Sequence, residues 1–274
     1  MANRLVSKFI VRLRHDGPLA SLKAVLIWLM HKKDPLHSRR VALARELSEL
    51  LTGTVRYGPF KGLKLTRDSW WSGAEQASML FGLYEKEVLE SLTRVPPRYS
   101  TFIDCGAADG YYGVGVLVSG RFEKSYCFET SRAGQTVIRK NAERNGVSDR
   151  VVIKGTANKE FYKEILSDDL RNCVLLIDIE GGEFDLLDKS TFKIFERSII
   201  FVELHEWLLP DGQERLRLLR ESAASTHCIS ELTTGARDLS RFVELKNLSD
   251  TDRWLICSEG RGRLMTWLRF DPLS

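Results

Sequence analysis

From residue 101 onward, short apolar runs alternate with stretches whose apolar positions recur every three or four residues. The runs predict strands at 101–104, 125–129, 150–155, 174–179, 198–204, 228–232 and 253–258. Between them the spacing predicts helices opening at Tyr111 and over 134–145, 159–170, 184–195 and 211–224. The run at 174–179, VLLIDI, is continuously apolar up to its acids, as a buried parallel strand should be. Upstream, 54–66 reads as a hairpin or a loop with short strands, and 73–93 as helical, with Leu80, Tyr84, Val88 and Leu92 four apart. Residues 1–52 read as helical, punctuated by Asp16-Gly17-Pro18 and Asp34-Pro35, with Gly53 as a cap.

Strands alternating with helices imply an α/β fold with a mostly parallel sheet and helices on both faces. Ligands on such sheets bind beyond the carboxyl ends of the strands, at the topological switch. The residues just past each strand therefore carry the functional argument.

The first strand runs into Asp104-Cys105-Gly106-Ala107-Ala108-Asp109-Gly110 and then into a helix. Its glycines, at 106, 110 and 113, do not form the close pair that cradles a pyrophosphate. Asp109 would also repel a phosphate. The turn better suits S-adenosylmethionine, a nucleoside with a sulfonium, an amino group and a carboxylate. Asp104 would meet the amino group directly or through water, and the turn's N–H groups the carboxylate. Glu129 follows the second strand, where an acid can accept hydrogen bonds from both ribose hydroxyls.

The fourth run ends Asp178-Ile179-Glu180-Gly181-Gly182-Glu183, and the fifth ends Glu203-Leu204-His205-Glu206. Acids packed at the mouth of a buried strand are costly unless paired. Period-two alternation places Asp178 with Glu180 and Glu203 with His205. Such a cluster could deprotonate an acceptor hydroxyl, with Asp178 as base and Glu180, Glu203 and His205 in support. A divalent cation at Asp178 and Glu180 is a second way to activate the acceptor.

Charge refines this picture. Of the net +4, residues 1–40 carry nine Lys/Arg against Asp16 and Asp34, leaving −3 for residues 41–274. The basicity thus lies in the N-terminal arm and not on the domain, which argues against a nucleic-acid reader. The apolar stretch 24–30 is too short to span a bilayer, but with its basic flanks it could rest on an anionic membrane surface, giving peripheral contact through residues 1–40 of a cytoplasmic protein. Five scattered cysteines without a CxxC predict reduced thiols and no cysteine-bound metal. An N-methyltransferase acting on nucleic acid would carry Asn/Asp-Pro-Pro-aromatic where DIEG stands. A degenerate binding or scaffold module is the non-enzyme alternative, for which Trp70, Trp71, Trp207 and Trp254 could form a partner surface.

DCGAADGYYG, CFET, LLIDIEGGEFDLL and FVELHEW together resemble the FkbM-type S-adenosylmethionine-dependent methyltransferases, over roughly residues 54–261. YGPFKGLKL, FGLYEKEVLESL and DRWLICSEGR resemble flanking segments of bacterial members. The resemblance implies a class I methyltransferase (Rossmann-like) sheet of seven strands, the last antiparallel, preceded here by a basic helical extension over 1–52. It implies methyl transfer to a hydroxyl of a glycan, glycolipid or secondary metabolite. By motif Asp104, Gly106 and Gly110 would be cofactor-turn residues, with Ala107 and Asp109 beside them in the same turn; Glu129 would be the ribose acid; and Asp178, Glu180, Gly181 and Glu183 would line the methyl-transfer end, with Asp178 also meeting the cofactor. Two departures stand out: Ala108-Asp109 replaces the usual Asn-hydrophobic pair, and Thr156 follows strand three where an acid would meet the adenine, leaving backbone, the Thr156 hydroxyl or Asn158.

Overall fold

The structure is a computed structural model that describes residues 34–71 and 73–273. Seven strands form one sheet: β1 (Thr101–Cys105), β2 (Lys124–Phe128), β3 (Val151–Lys154), β4 (Cys173–Ile177), β5 (Ile199–Glu203), β6 (His227–Thr233) and β7 (Thr266–Pro272). Their order is β3-β2-β1-β4-β5-β7-β6, and only β7 runs antiparallel, to both β5 and β6. This is the sheet expected of a class I methyltransferase. The order reverses between β1 and β4, which opens the crevice there.

Among the described residues the helices are α1 (Pro35–Leu50), α2 (Gln76–Leu80), α3 (Lys86–Thr93), α4 (Tyr111–Val118), α5 (Arg132–Arg144), α6 (Glu183–Leu186), α7 (Lys189–Ile194), α8 (Gly212–Ala223) and α9 (Asp250–Cys257). The central strands sort their side chains by parity into two cores. Phe102, Val174, Leu176 and Phe201 pack with Val116 of α4 and Ile138 of α5. Ile103, Leu175, Ile177, Ile200 and Val202 pack with Phe192 of α7 and Leu219 of α8. Both faces are apolar, so β1, β4 and β5 read as unbroken hydrophobic runs.

A third cluster joins α1, through Leu43, Ala44, Leu47 and Leu51, to Leu80, Phe81, Leu245 and Ile256. The described part of the N-terminal extension is therefore packed into the domain. Asp34 caps α1 by accepting the N–H of Leu36, and Pro35 takes the first helical position, where its missing N–H costs nothing. At the other end Thr52, not Gly53, takes the first left-handed position, and the Gly53 N–H closes the cap on the Ser48 carbonyl at 2.8 Å. Arg39 binds Asp252 and Arg40 binds the Ser258 carbonyl, so these two arm cations are spent inside the fold. The proposed membrane-binding stretch at 24–30 lies outside the described residues. Among the described residues no helix is long and apolar enough to cross a membrane.

Several predicted elements are corrected. Residues 253–258 are not the seventh strand but lie in α9, where Ser249 caps the first turn by accepting the Asp252 N–H. A six-residue apolar run cannot separate strand from helix by periodicity, and the cap decides it. The seventh strand is instead 266–272. The helix expected over 159–170 is a single 3-10 turn at Phe161–Glu164, because Asn158 accepts the Glu160 N–H and Asp169 is drawn to Lys124 and Tyr126 on β2. The 184–195 helix is split at Leu187, where Asp188 caps a new start by accepting the Thr191 N–H. The 73–93 helix is broken at Gly82, whose backbone lies so close to Tyr57 that a Cβ would stand 2.5 Å from its carbonyl oxygen. In 54–66 the pairing is limited to one antiparallel bridge, Thr54 to Lys64. Cys105, Cys127 and Cys173 are buried free thiols, whereas Cys228 is exposed.

Candidate active site

Strand register brings the site together. Cys105 is opposite Phe128 on one side and Ile177 on the other, and Ile177 is opposite Val202. Gly106, Glu129, Asp178 and Glu203 therefore leave the sheet at one level. Gly106 has φ +96, and a Cβ there would lie 1.8 Å from the Asp178 carbonyl oxygen. The first turn and the fourth strand end thus touch through backbone, and only glycine permits it.

Within the turn, the N–H groups of Gly106 and Ala107 both go to the Phe128 carbonyl, and Gly110 bonds back to Ala107. Asp104 is buried, and its Oδ2 accepts the Gly113 N–H at 3.0 Å, bracing the start of α4 from beneath. Burial pushes its carboxyl up to about 7. Glu129 accepts the Ala108 N–H at 2.9 Å on one oxygen and the Ser131 N–H at 2.6 Å on the other. Each carboxylate oxygen has a second lone pair, so both bonds are compatible with further acceptance. Asp109 points to the lead-in segment: it accepts the Ser69 hydroxyl and, at 2.8 Å, the Trp70 N–H. Thr156 is exposed, just past β3.

At the other end, β4 stops at Ile177, so alternation does not govern Asp178 and Glu180. Their carboxylates nevertheless converge on His205 Nε2, with Asp178 Oδ1 at 3.7 Å and Glu180 Oε2 at 3.9 Å. Glu203 Oε2 is 3.4 Å from the same nitrogen, as alternation along β5 predicts. Glu180 sits in the left-handed region at φ +55 and is exposed. Glu183 is fully buried and acts as a brace. Its carboxylate accepts the His205 N–H at 2.9 Å and the Gly181 N–H at 2.8 Å, tying the two strand ends together. It also lies 3.3 Å from His205 Nδ1, off the line of a hydrogen bond.

Burial, then the Glu203 charge, pushes Asp178 well above the usual aspartate range. Burial alone would raise Glu203 too, but the His205 ring at 3.4 Å and the Arg261 guanidinium hold it below its ordinary value. Burial would lower His205, yet Glu183 and Glu203 push it up to about 11, so it is an imidazolium at neutral pH. The two neighbouring acids are thus shifted in opposite directions, Asp178 upward and Glu203 downward.

Two residues without a role in the sequence expectation complete the cluster. Arg261 forms ion pairs with both Glu203 and Glu85. Glu85 is buried, pushed up to about 8 by burial and by Glu203, and accepts the Tyr112 hydroxyl at 2.7 Å. Both lie in segments that carried the family resemblance, FGLYEKEVLESL and DRWLICSEGR, but only the tertiary fold brings them to β5. Of the four tryptophans, Trp71, Trp207 and Trp254 are exposed, and Arg263 lies over the Trp207 ring at 4.6 Å.

Asp178, Glu203 and His205 each offer a ligand atom, all within 4.8 Å of one another, while Glu180 falls outside this trio. A divalent cation would need His205 deprotonated and would compete with Arg261 for Glu203. His205 and Arg261 both lie among these acids, so a metal would have to displace a proton and an ion pair to bind there.

Residues 160–232 match the methyltransferase FkbM domain. No curated protein matches the chain. Among solved structures, the O-methyltransferase TomG from Streptomyces achromogenes, in complex with SAM, is 12% identical, with 92% of this chain and 96% of that one covered at a TM-score of 0.47. The tRNA (m1A22) methyltransferase TrmK of B. subtilis is 8% identical, covering 68% and 65% at 0.44. Precorrin 8W decarboxylase from Methanobacterium thermoautotrophicum is 15% identical, covering 68% and 89% at 0.42. Likenesses this low carry no argument about the chemistry.

Proposed function

We propose that this protein, an FkbM-type methyltransferase by its 160–232 match and its sheet, transfers a methyl group from S-adenosylmethionine to a hydroxyl of a small-molecule or glycan acceptor. The observation that carries the proposal is the convergence of Asp178, Glu180 and Glu203 on one buried imidazolium, immediately beside the Gly106 turn.

The residues of the crevice fit the cofactor. Gly106, Ala107 and Gly110 keep the turn low, Glu129 presents a carboxylate over it for a ribose, and the acid-rich mouth favours a sulfonium. Asp104 acts from below, shaping the turn through Gly113. Asp109 supports it indirectly by pinning 69–70, and Thr156 stands at the adenine end. When bound, S-adenosylmethionine supplies a methyl group already activated on a sulfonium.

The chain's own task is to position and deprotonate the acceptor. Asp178 takes the hydroxyl proton. His205 and Glu203 hold Asp178 in place, and the His205 charge keeps the loaded cluster from accumulating negative charge. Glu183 fixes His205 through its backbone and so sets the geometry of the whole end.

The test is incubation of the full chain with methyl-labelled S-adenosylmethionine and fractionated glycans, lipids and small metabolites, with and without a chelator. Label entering an alkali-stable methyl ether, undiminished by chelation, supports the proposal. Label on nitrogen, or loss of transfer on chelation, contradicts it.

A further inference from the structure

We infer that Arg261 is a positioning residue for the methyl-transfer centre, holding Glu203 in register with Asp178 by bridging it to Glu85. The inference rests on the proposed reaction, since Glu203 and Asp178 matter as a pair only if that centre transfers the methyl group.

Arg261 stands on the irregular segment between α9 and β7. Its guanidinium pairs with Glu203 at the end of β5 and with Glu85 at the start of α3, and its Nε lies 3.0 Å from Glu259 Oε2. Both carboxylates it joins are buried, at 2% exposure for Glu203 and 5% for Glu85. Glu85 also accepts from Tyr112, on the helix that springs from the glycine turn. One guanidinium therefore connects the cofactor-turn helix to the strand end that supports the base.

The surrounding backbone is arranged around this bridge. Glu85 adopts φ +44, a left-handed conformation that a glutamate holds only when its surroundings over-determine it. Its N–H donates to Glu259 Oε1 at 3.1 Å, and Glu259 is itself held by Arg237 at 3.3 Å. Gly260 has φ +67, which favours glycine, and a Cβ there would stand 1.7 Å from Arg40 Nη1, so the strap passes close against the Arg40 guanidinium. Arg40 in turn donates to the Ser258 carbonyl at 2.8 Å. A buried ion network is a poor way to gain stability alone, because well-packed apolar side chains do as well. Its placement beside Asp178 and His205 is explained by control of geometry: without Arg261, Glu203 and Glu85 lose the counter-charge they share.

Three full-length variants test this. Arg261→Ala should lower kcat about 100-fold while the S-adenosylmethionine Kd stays within about three-fold. It should also lower Tm, since it strands two buried carboxylates. Adding Glu85→Gln to Arg261→Ala removes one of them and should recover Tm without recovering kcat, and low-millimolar guanidinium should restore part of the turnover of Arg261→Ala. Recovery of kcat together with Tm in the double variant would overturn the inference, because the role would then be structural. A separate arm needs no turnover: the His205 ring 15N signals should shift in Arg261→Ala and shift less in Glu85→Gln, whose side-chain oxygen can still accept from Arg261. Unchanged His205 signals in Arg261→Ala also count against it. Absence of methyl transfer by the wild-type chain would instead defeat the proposed function, leaving the 15N arm to judge the bridge.

Discussion

Asp104, on β1, and Asp178, just past the end of the neighbouring β4, are carboxyls both raised by burial. Asp178 must be ionised to accept a proton, so kcat/KM should rise with pH through its elevated pKa. It should then hold a plateau until His205, pushed up to about 11, loses its proton. A pH–rate profile that is flat from pH 5 upward would remove Asp178 as the base. Asp104 makes a different prediction, about stability. Its folded pKa is raised, so its contribution is fully present below the unfolded value near 4 and is lost as pH rises through about 7. Asp104→Asn keeps an acceptor for the Gly113 N–H and removes that loss. Denaturant unfolding at pH 8 should find the variant more stable than wild type by about 1–3 kcal/mol, with the difference fading toward pH 4.

Turns and strand ends are where sequence and structure part company. Gly106→Ala should cost about 3 kcal/mol or more, because it demands a left-handed alanine with its Cβ against the Asp178 carbonyl. Circular dichroism melting and calorimetry would show a lower Tm and lost cofactor binding together. All six strands from β1 to β6 are legible as apolar runs to within a residue or two, most plainly β1, β4 and β5, which are buried on both faces. The failures were local. Asn158, Asp188 and Ser249 each satisfy a backbone N–H, and such caps override an apolar spacing that fits either element. Asp178, Glu203 and His205 were legible because they follow strands. Glu85 and Arg261 were not, because neither follows a strand and their meeting depends on the strap before β7. The Asp109 carboxylate is bound to the 69–70 segment, a contact with no sequence signal.

At the scale of the whole molecule, the sheet order puts the cofactor turn and the acidic centre on either side of one switch point, between β1 and β4. Glu129, Asp178, Glu180 and Glu203 gather at that mouth, where acids favour a cationic cofactor. The described part of the N-terminal extension belongs to the same body, through the α1 cluster with α2 and α9. The central claim is that this crevice binds S-adenosylmethionine and that Asp178 makes the acceptor reactive. The most direct measurement compares wild type and Asp178→Asn by calorimetry with S-adenosylmethionine and by transfer of labelled methyl to the acceptor fraction. The account predicts binding by both proteins with Kd values within about three-fold and a loss of transfer of about 1,000-fold in the variant. Wild type giving no binding heat, or Asp178→Asn turning over like wild type, would contradict it.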